Sequence, residues 1–285
     1  MVMTNVQKTT KTKYINLDTR FRDEYNLLQT SNYNITLPER ITEVHTITAR
    51  SIELPITFYN ISDNLRNNRI TLISGSNKEE IVVPDGQYAP SSLQVVLNAK
   101  FQQSTYGRNL SIVLAPNART VIDLSAGAIT LDFVADGSAC SDVSDKYQFK
   151  TSLGWLLGFR STTHPITPQL SPLTSAAHLD LSGPRYLYLA VEEYGKGNPH
   201  SFQCPMPNSQ INKNILARIS LDPTQYPYGS TLPANTYNGY LLSDVRSYAG
   251  KVDLQKLNVQ ILNESGTPMV LNGSDFSVCL EVLHE

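Results

Sequence analysis

Residues 248–285 read YAGKVDLQKLNVQILNESGTPMVLNGSDFSVCLEVLHE, and two runs within this stretch decide the fold class. Leu257, Val259 and Ile261 alternate with Asn258 and Gln260. Further on, Phe276, Val278, Leu280 and Val282 alternate with Ser277, Cys279 and Glu281. A period of two marks a half-buried strand, with one face toward a core and the other toward water or a neighbour. Between the runs, NESG (263–266) and NGSD (272–275) supply turn chemistry where the chain must reverse. The spacing predicts a closing hairpin whose seven apolar residues are core positions, so that the last residues belong to the fold.

The same period recurs upstream. Tyr33, Ile35 and Leu37 predict a short strand ended by Pro38, and Val44 to Leu54 a longer one closed by Pro55. Arg69–Ile73 and Glu80–Val83 flank SGSNK as a hairpin. Leu110–Leu114, Arg119–Leu124, Ala128–Val134 and Lys146–Lys150 alternate with turns between them. In PRYLYLAVEEY, Leu187, Leu189 and Val191 share one face and Tyr186 and Tyr188 the other. NILARISL (214–221) is a further strand. One helix of about ten to twelve residues follows Pro84-Asp85-Gly86: Ser91 or Ser92 can cap it, and Leu93, Val96, Leu97, Lys100 and Phe101 fall at helical spacing. Its narrow stripe suits the side of a sheet. SLGWLLGF (152–159) predicts a short plug helix with Ser152 as cap and Gly158 as terminator.

Three long stretches, 161–184, 196–213 and 222–240, are rich in Pro and show no strand pattern. Many short strands joined by long loops are the pattern of a jelly-roll β-sandwich, whose loops cluster at its ends. The expectation is an all-β chain. A flexible arm, 1–13, leads into a jelly-roll domain over 14–285, with room for a small β insertion or second module within 160–245.

Composition bounds the partners. Hydrophobic residues make up 40% of the 285, and charged residues 17% against about 25% in ordinary globular domains. A surface poor in charge and rich in amides suits a molecule largely covered by partners. The net charge of -2 offers no electrostatic reason to bind nucleic acid. Cys140, Cys204 and Cys279 are odd in number and far apart, so no disulfide framework is implied and a reducing, intracellular assembly site is compatible. The first residues, MVMTNVQKTTKTK, lack an apolar run of the secretory kind, and no apolar run reaches the ~18 residues that span a bilayer. A soluble chain without membrane insertion is expected.

No catalytic pattern emerges. The chain has no Gly-x-Ser-x-Gly and neither glycine-rich phosphate loop. His45, His164, His178, His200 and His284 are scattered, with no zinc spacing among them or the cysteines. Asp18, Asp23 and Glu24 stand beside Arg20 and Arg22, which favours local ion pairs over acid–base chemistry. Asp132, Asp136, Asp142 and Asp145 lack cation-loop spacing. The expectation is a non-enzyme without metal or cofactor.

Contact residues are sought instead in the arm, through Lys8, Lys11 and Lys13, and among the fifteen tyrosines. Tyr186 and Tyr188 on the outer face of their strand, and Tyr226, Tyr228, Tyr237 and Tyr240 in the Pro-Tyr loop, are the candidates. The segments expected to carry contacts are Met1–Lys13, His164–Pro184 and Gln225–Tyr240. Amphipathic rings on an outer face suit a subunit interface. The rival is a stacking platform for a sugar or nucleic acid, which needs a basic groove beside the rings; Arg185 with Tyr186 and Tyr188 comes nearest.

Taken together and in order, YINLDTRFRDEY, SIELPITFYNIS, VVPDGQYAPSSLQVVLNA, SLGWLLGF, RYLYLAVEEY, NILARISL and VDLQKLNVQILNESGTPMVLNGSDFSVCLEV resemble a family of structural proteins of nucleocytoplasmic large DNA viruses. These are the minor capsid or penton-type proteins with a jelly-roll fold. The resemblance covers about residues 14 to 283. It implies a virion structural protein in an icosahedral shell, assembled in the host cytoplasm. The expected role is a minor capsid protein, present in many copies, that contacts the major capsid protein and other minor capsid proteins and cements the capsomers. The alternatives are a penton at the vertices or a surface β-sandwich that binds carbohydrate or a receptor.

Overall fold

The computed structural model describes residues 9–24, 26, 30–115, 118–134, 149–193 and 214–285. The chain is all-β with curled antiparallel sheets, of the jelly-roll-like sandwich kind, and divides into two compact units. The first comprises residues 1–58 and 184–285, the second 59–183.

Eight strands build the first unit: β1 (Lys11–Asp18), β2 (Asn32–Pro55), β10 (Tyr186–Glu192), β11 (Ile215–Ser220), β12 (Thr231–Asn235), β13 (Leu241–Ser243), β14 (Arg246–Leu262) and β15 (Ser277–His284). They form one sheet in the order β1-β15-β2-β14-β10-β11-β13, with β12 added on β2. At 24 residues, β2 is far longer than a flat sheet accommodates. It changes partners along its length, pairing β14 over Asn32–Ile47, β15 over Val44–Glu53 and β12 over Ser51–Pro55. The sheet curls until its far end returns: the Ala49 N–H donates to Ser243 Oγ on β13 at 3.0 Å, and that hydroxyl donates to the Leu216 carbonyl at 3.3 Å.

Two expectations are corrected here. The closing runs are strands, but they are not a hairpin, because β2 lies between β14 and β15. Pro38 does not end a strand either. Opposite Lys256 and Leu254 on β14 stand Thr36 and Ile41, so β2 holds three extra residues there, and a bulge asks no ladder N–H of the proline. The core positions stand as expected: Leu257, Val259, Ile261, Phe276, Val278, Leu280 and Val282 are all buried. At the other end of β1, Arg22 and the Thr19 hydroxyl both bond Asp275, and the Phe276 N–H donates to Thr19 Oγ1, fastening the segment after β1 to the segment before β15.

The second unit has a sheet β4-β3-β7-β8 and a sheet β5-β6-β9. Its strands are β3 (Arg69–Ser74), β4 (Asn77–Val82), β5 (Leu110–Val113), β6 (Arg119–Leu124), β7 (Ile129–Asp132), β8 (Thr163–Ile166) and β9 (Leu173–His178). Helix α1 (Pro90–Gln103) buries Leu93, Leu97 and Phe101 of the expected stripe, while Val96 and Lys100 are only partly buried. Its cap is Ala89 rather than a serine, because Pro90 takes the first helical position; Ser92 Oγ instead accepts from the Ala89 N–H at 3.0 Å. A four-residue helix, α2 (Leu153–Leu156), begins at Ser152, whose Oγ accepts from the Trp155 N–H. Gly158 at φ +91 ends that turn, and a Cβ there would lie 2.2 Å from the Ala177 carbonyl oxygen. These elements close over one core that includes Ile61, Leu72, Phe101, Leu124, Phe133 and Phe159.

This unit revises the domain expectation. Residues 59–183 pair among themselves and bury their own core, so the units divide at 58/59 and 183/184, not at a module within 160–245 around a single domain. Within the stretch read as irregular, 161–184, lie β8 and β9; β8 is an edge strand, where Pro165 is tolerated. The arm also ends sooner than expected, since Lys11 to Lys13 already pair with β15. Most of the strand expected over Lys146–Lys150 lies outside the described residues.

Helix α1 supplies a side-chain substitute for a neighbouring strand. Asn98 accepts from the Ile112 N–H and donates to its carbonyl, both at 2.9 Å, and Gln94 accepts from the Leu114 N–H at 2.7 Å. The outer edge of β5 is thereby closed. Asn98→Leu, which leaves both Ile112 groups without a partner, is expected to cost the second unit about 1 to 3 kcal/mol in urea unfolding.

Candidate interaction surface

The chain's exposed aromatics are set by strand alternation and turns. In β1, Ile15 and Leu17 face the core, which turns Tyr14 outward at 60% exposure. Tyr14 stands opposite Glu281 on β15, and the hydrogen bond to that carboxylate pushes the phenol pKa up. Arg50 on β2 grips the same carboxylate with two bonds of 3.0 and 2.5 Å, holding Glu281 below the usual carboxylate range. The Tyr237 phenol lies within electrostatic reach of Arg50.

Tyr237 sits at the tip of the β12–β13 turn and is 93% exposed. The tip is built by Asn235, whose Oδ1 accepts from the N–H groups of Tyr237 and Asn238 at 2.9 Å each, the side-chain turn that asparagine favours. Asn238 in turn donates to the Pro233 carbonyl at 2.6 Å. The ring is thus held out on a backbone that is tied down.

The other candidates are placed differently. Tyr226 and Tyr240 meet edge to face, with centroids 5.4 Å apart and planes at 88°, and Tyr240 donates to Gln225 Oε1 at 2.6 Å. Perpendicular rings present no shared flat platform. Tyr228 is exposed nearby. Tyr186 is half-buried, stacked under the Arg218 guanidinium at 4.2 Å and edge-on to Tyr188 at 5.4 Å. Tyr188 is only 7% exposed, packed with Ala190, Ile215 and Leu262, so it is a packing residue and not a contact residue. Lys11 is exposed on β1, and Lys13 pairs with Glu39 at 2.7 Å; Lys8 lies outside the described residues. The segment His164–Pro184 supplies β8 and β9 and presents an exposed Leu170. Gln225–Tyr240 contains β12 and the Tyr237 turn.

Sequence reasoning missed a buried ion pair. Arg246 opens β14 and Glu193 follows β10; their side chains are 2% and 1% exposed, 2.6 Å apart. The guanidinium also donates to the carbonyls of Val191 at 2.7 Å and Asn214 at 2.9 Å, and the Tyr248 hydroxyl donates to Glu193 at 2.7 Å. Burial and that carboxylate push the Tyr248 phenol pKa up, so it stays a donor. One cation therefore fixes both stems of the segment between β10 and β11. The available signal was a second acid, Glu193, at the end of an otherwise apolar strand. The local pairing expected of the early charges holds for Asp18 and Arg20, which bond at 2.5 Å, while Asp23 instead caps Thr36.

Among the described residues no three His, Cys, Asp or Glu side chains converge to hold a metal ion, and no helix is long and apolar enough to cross a membrane. Cys279 is half-buried with a free thiol whose pKa is raised by burial; Cys140 and Cys204 lie outside the described residues. No family model and no curated protein matches the chain. Among solved structures, the cryo-EM structure of the Sputnik virophage resembles it at a TM-score of 0.43 and 9% identity, over 96% of this chain and 98% of that one. The crystal structure of the mavirus penton protein resembles it at a TM-score of 0.46 and 9% identity, over 97% of this chain and 99% of that one.

Proposed function

We propose that the chain is a structural protein of a virus particle, a minor capsid protein that touches and cements the major capsid capsomers of a large icosahedral DNA virus. The observation that carries the reading is the match between the family-like segments and the framework. YINLD forms β1, SIELP ends β2, APSSLQVVLNA opens α1, and SLGWLLGF forms α2 with its flanks. RYLYLAVEE and NILARIS form β10 and β11, and the closing segment forms β14 and β15. The resemblance thus rests on the residues that make the scaffold. Contacts repeated by shell symmetry need not be individually strong, and a charge-poor surface with isolated aromatics suits them.

The test is the particle itself. Quantitative mass spectrometry of purified virions is expected to find the chain at a fixed ratio to the major capsid protein. A cryo-EM map is expected to place it beneath or between capsomers; density confined to the five-fold axes would make it the penton instead. Absence of the chain from washed particles overturns the reading. Within it, Tyr237→Ser is expected to leave unfolding free energy within about 0.5 kcal/mol while reducing incorporation into particles. A glycan array that binds the wild type and loses binding in the same variant would favour a carbohydrate-binding sandwich.

A further inference from the structure

Every strand that ends a sheet exposes a row of backbone N–H and C=O groups to any extended chain that comes near, and proteins normally blunt such rows. Among the described residues each terminal strand but one is blunted. β13 has three residues, and β12 carries Pro233. β4 carries Lys78, Glu79 and Glu80, and Glu79 is itself bonded to the N–H groups of Thr105 and Tyr106 at 2.9 Å each. β5 is closed by Asn98 and Gln94 of α1, β8 carries Pro165, and β9 is bonded through the Ala177 N–H to the Gly158 carbonyl at 2.9 Å.

The exception is β1. It ends the eight-stranded sheet, runs eight residues in unbroken register with β15, and contains neither proline nor bulge. Among the described residues no strand pairs with its other side. Thr12, Tyr14 and Asn16 are exposed, and Ile15 and Leu17 are anchored in the core. The edge is therefore both open and rigid, which lowers the ordering cost of adding a strand.

Its charge selects the partner. Lys13 is neutralised by Glu39 at 2.7 Å and Asp18 by Arg20 at 2.5 Å, which leaves Lys11 as the charge this edge offers, at its N-terminal end. All strand pairs among the described residues are antiparallel, the arrangement with the better hydrogen-bond geometry. An antiparallel arrival brings its own C-terminal end opposite Lys11. We propose that β1 is a strand-addition site for an extended polypeptide segment of another protein, running antiparallel to Lys11–Asp18, with a carboxylate side chain at its C-terminal end. This goes beyond the capsid reading and does not need it, since the assay below uses no particle.

The probe is the synthetic peptide Ac-TVTITVEE-NH2, with Ac-EETVTITV-NH2 as its charge-reversed control. Residue-resolved amide exchange on the full chain is expected to show alternate β1 amides slow, through β15, and the intervening ones fast. Adding the first peptide is expected to slow the fast set, and the control peptide to bind about tenfold more weakly. Lys11→Glu is expected to erase the preference between the two. Tyr14→Lys, which adds a guarding charge at an exposed position, is expected to abolish protection by either peptide with an unchanged melting temperature. Uniformly slow β1 amides in the free chain, or fast amides unmoved by both peptides at millimolar concentration, overturn the proposal. So does a dimer by sedimentation that protects these amides without peptide, since the edge would then serve self-pairing.

Discussion

Arg246→Met is expected to destabilise the first unit by about 3 to 5 kcal/mol, because it strands the Glu193 carboxylate in the interior. The guanidinium has three partners in the fold besides water exclusion: Glu193 and the carbonyls of Val191 and Asn214. Removing it leaves a buried negative charge held only by the Tyr248 hydroxyl, and takes a donor from the carbonyls of Val191 and Asn214, of which the second still accepts from the Val191 N–H. Chemical denaturation of the full chain reads the loss as a lower midpoint of the first transition. The companion is the double replacement Arg246→Met with Glu193→Leu. Exchanging a whole buried pair for apolar side chains of similar volume is commonly neutral or better, so the double variant is expected to recover most of the loss. If the single variant costs under about 1 kcal/mol, the pair is not the clamp that its burial implies.

Phe276→Ala is expected to cost about 3 to 5 kcal/mol in the same measurement. The ring is fully enclosed, meets Tyr33 edge-on at 5.9 Å, and immediately precedes β15, the strand that holds β1 to β2. A cavity here has little freedom to collapse, since the Phe276 backbone is bonded in both directions to Thr19. Tyr33 gives a control of opposite sign. Its hydroxyl is buried without a hydrogen-bond partner, and burial pushes the phenol pKa up. Tyr33→Phe is therefore expected to stabilise the unit by about 1 kcal/mol.

Strand positions were readable in the chain because one buried face forces a period of two. All seven apolar residues of the closing runs are core, and the stripe of α1 and the cap of α2 fall where their spacing puts them. Pairing was not readable: nothing in 257–282 tells that β2 separates the two runs. That depends on a strand more than 200 residues earlier, whose length was hidden by Pro38 in a bulge. The division into units was hidden for the same reason, since β3 to β9 carry the same local pattern as their neighbours. Among the contact candidates, Tyr237 was legible only as one of four tyrosines in a Pro-Tyr loop; the asparagine-built turn that holds it out came from the structure. Tyr188 was misread because a strand covered on both faces carries apolar bulk on both, and alternation alone cannot say which face is free.

The placement of β2 between β14 and β15 has a consequence for the order in which the protein is made. Residues 59–183 are contiguous, and the strands described there pair only with one another, so they can fold once they have left the ribosome. The first unit must wait. β1 has no partner until Ser277–His284 emerges, and β2 has none until Thr231 and beyond, so both emerge first and pair last. Closing so large a loop is slow. The nascent chain therefore carries a finished body in its middle while its opening strands, core residues included, remain without their sheet.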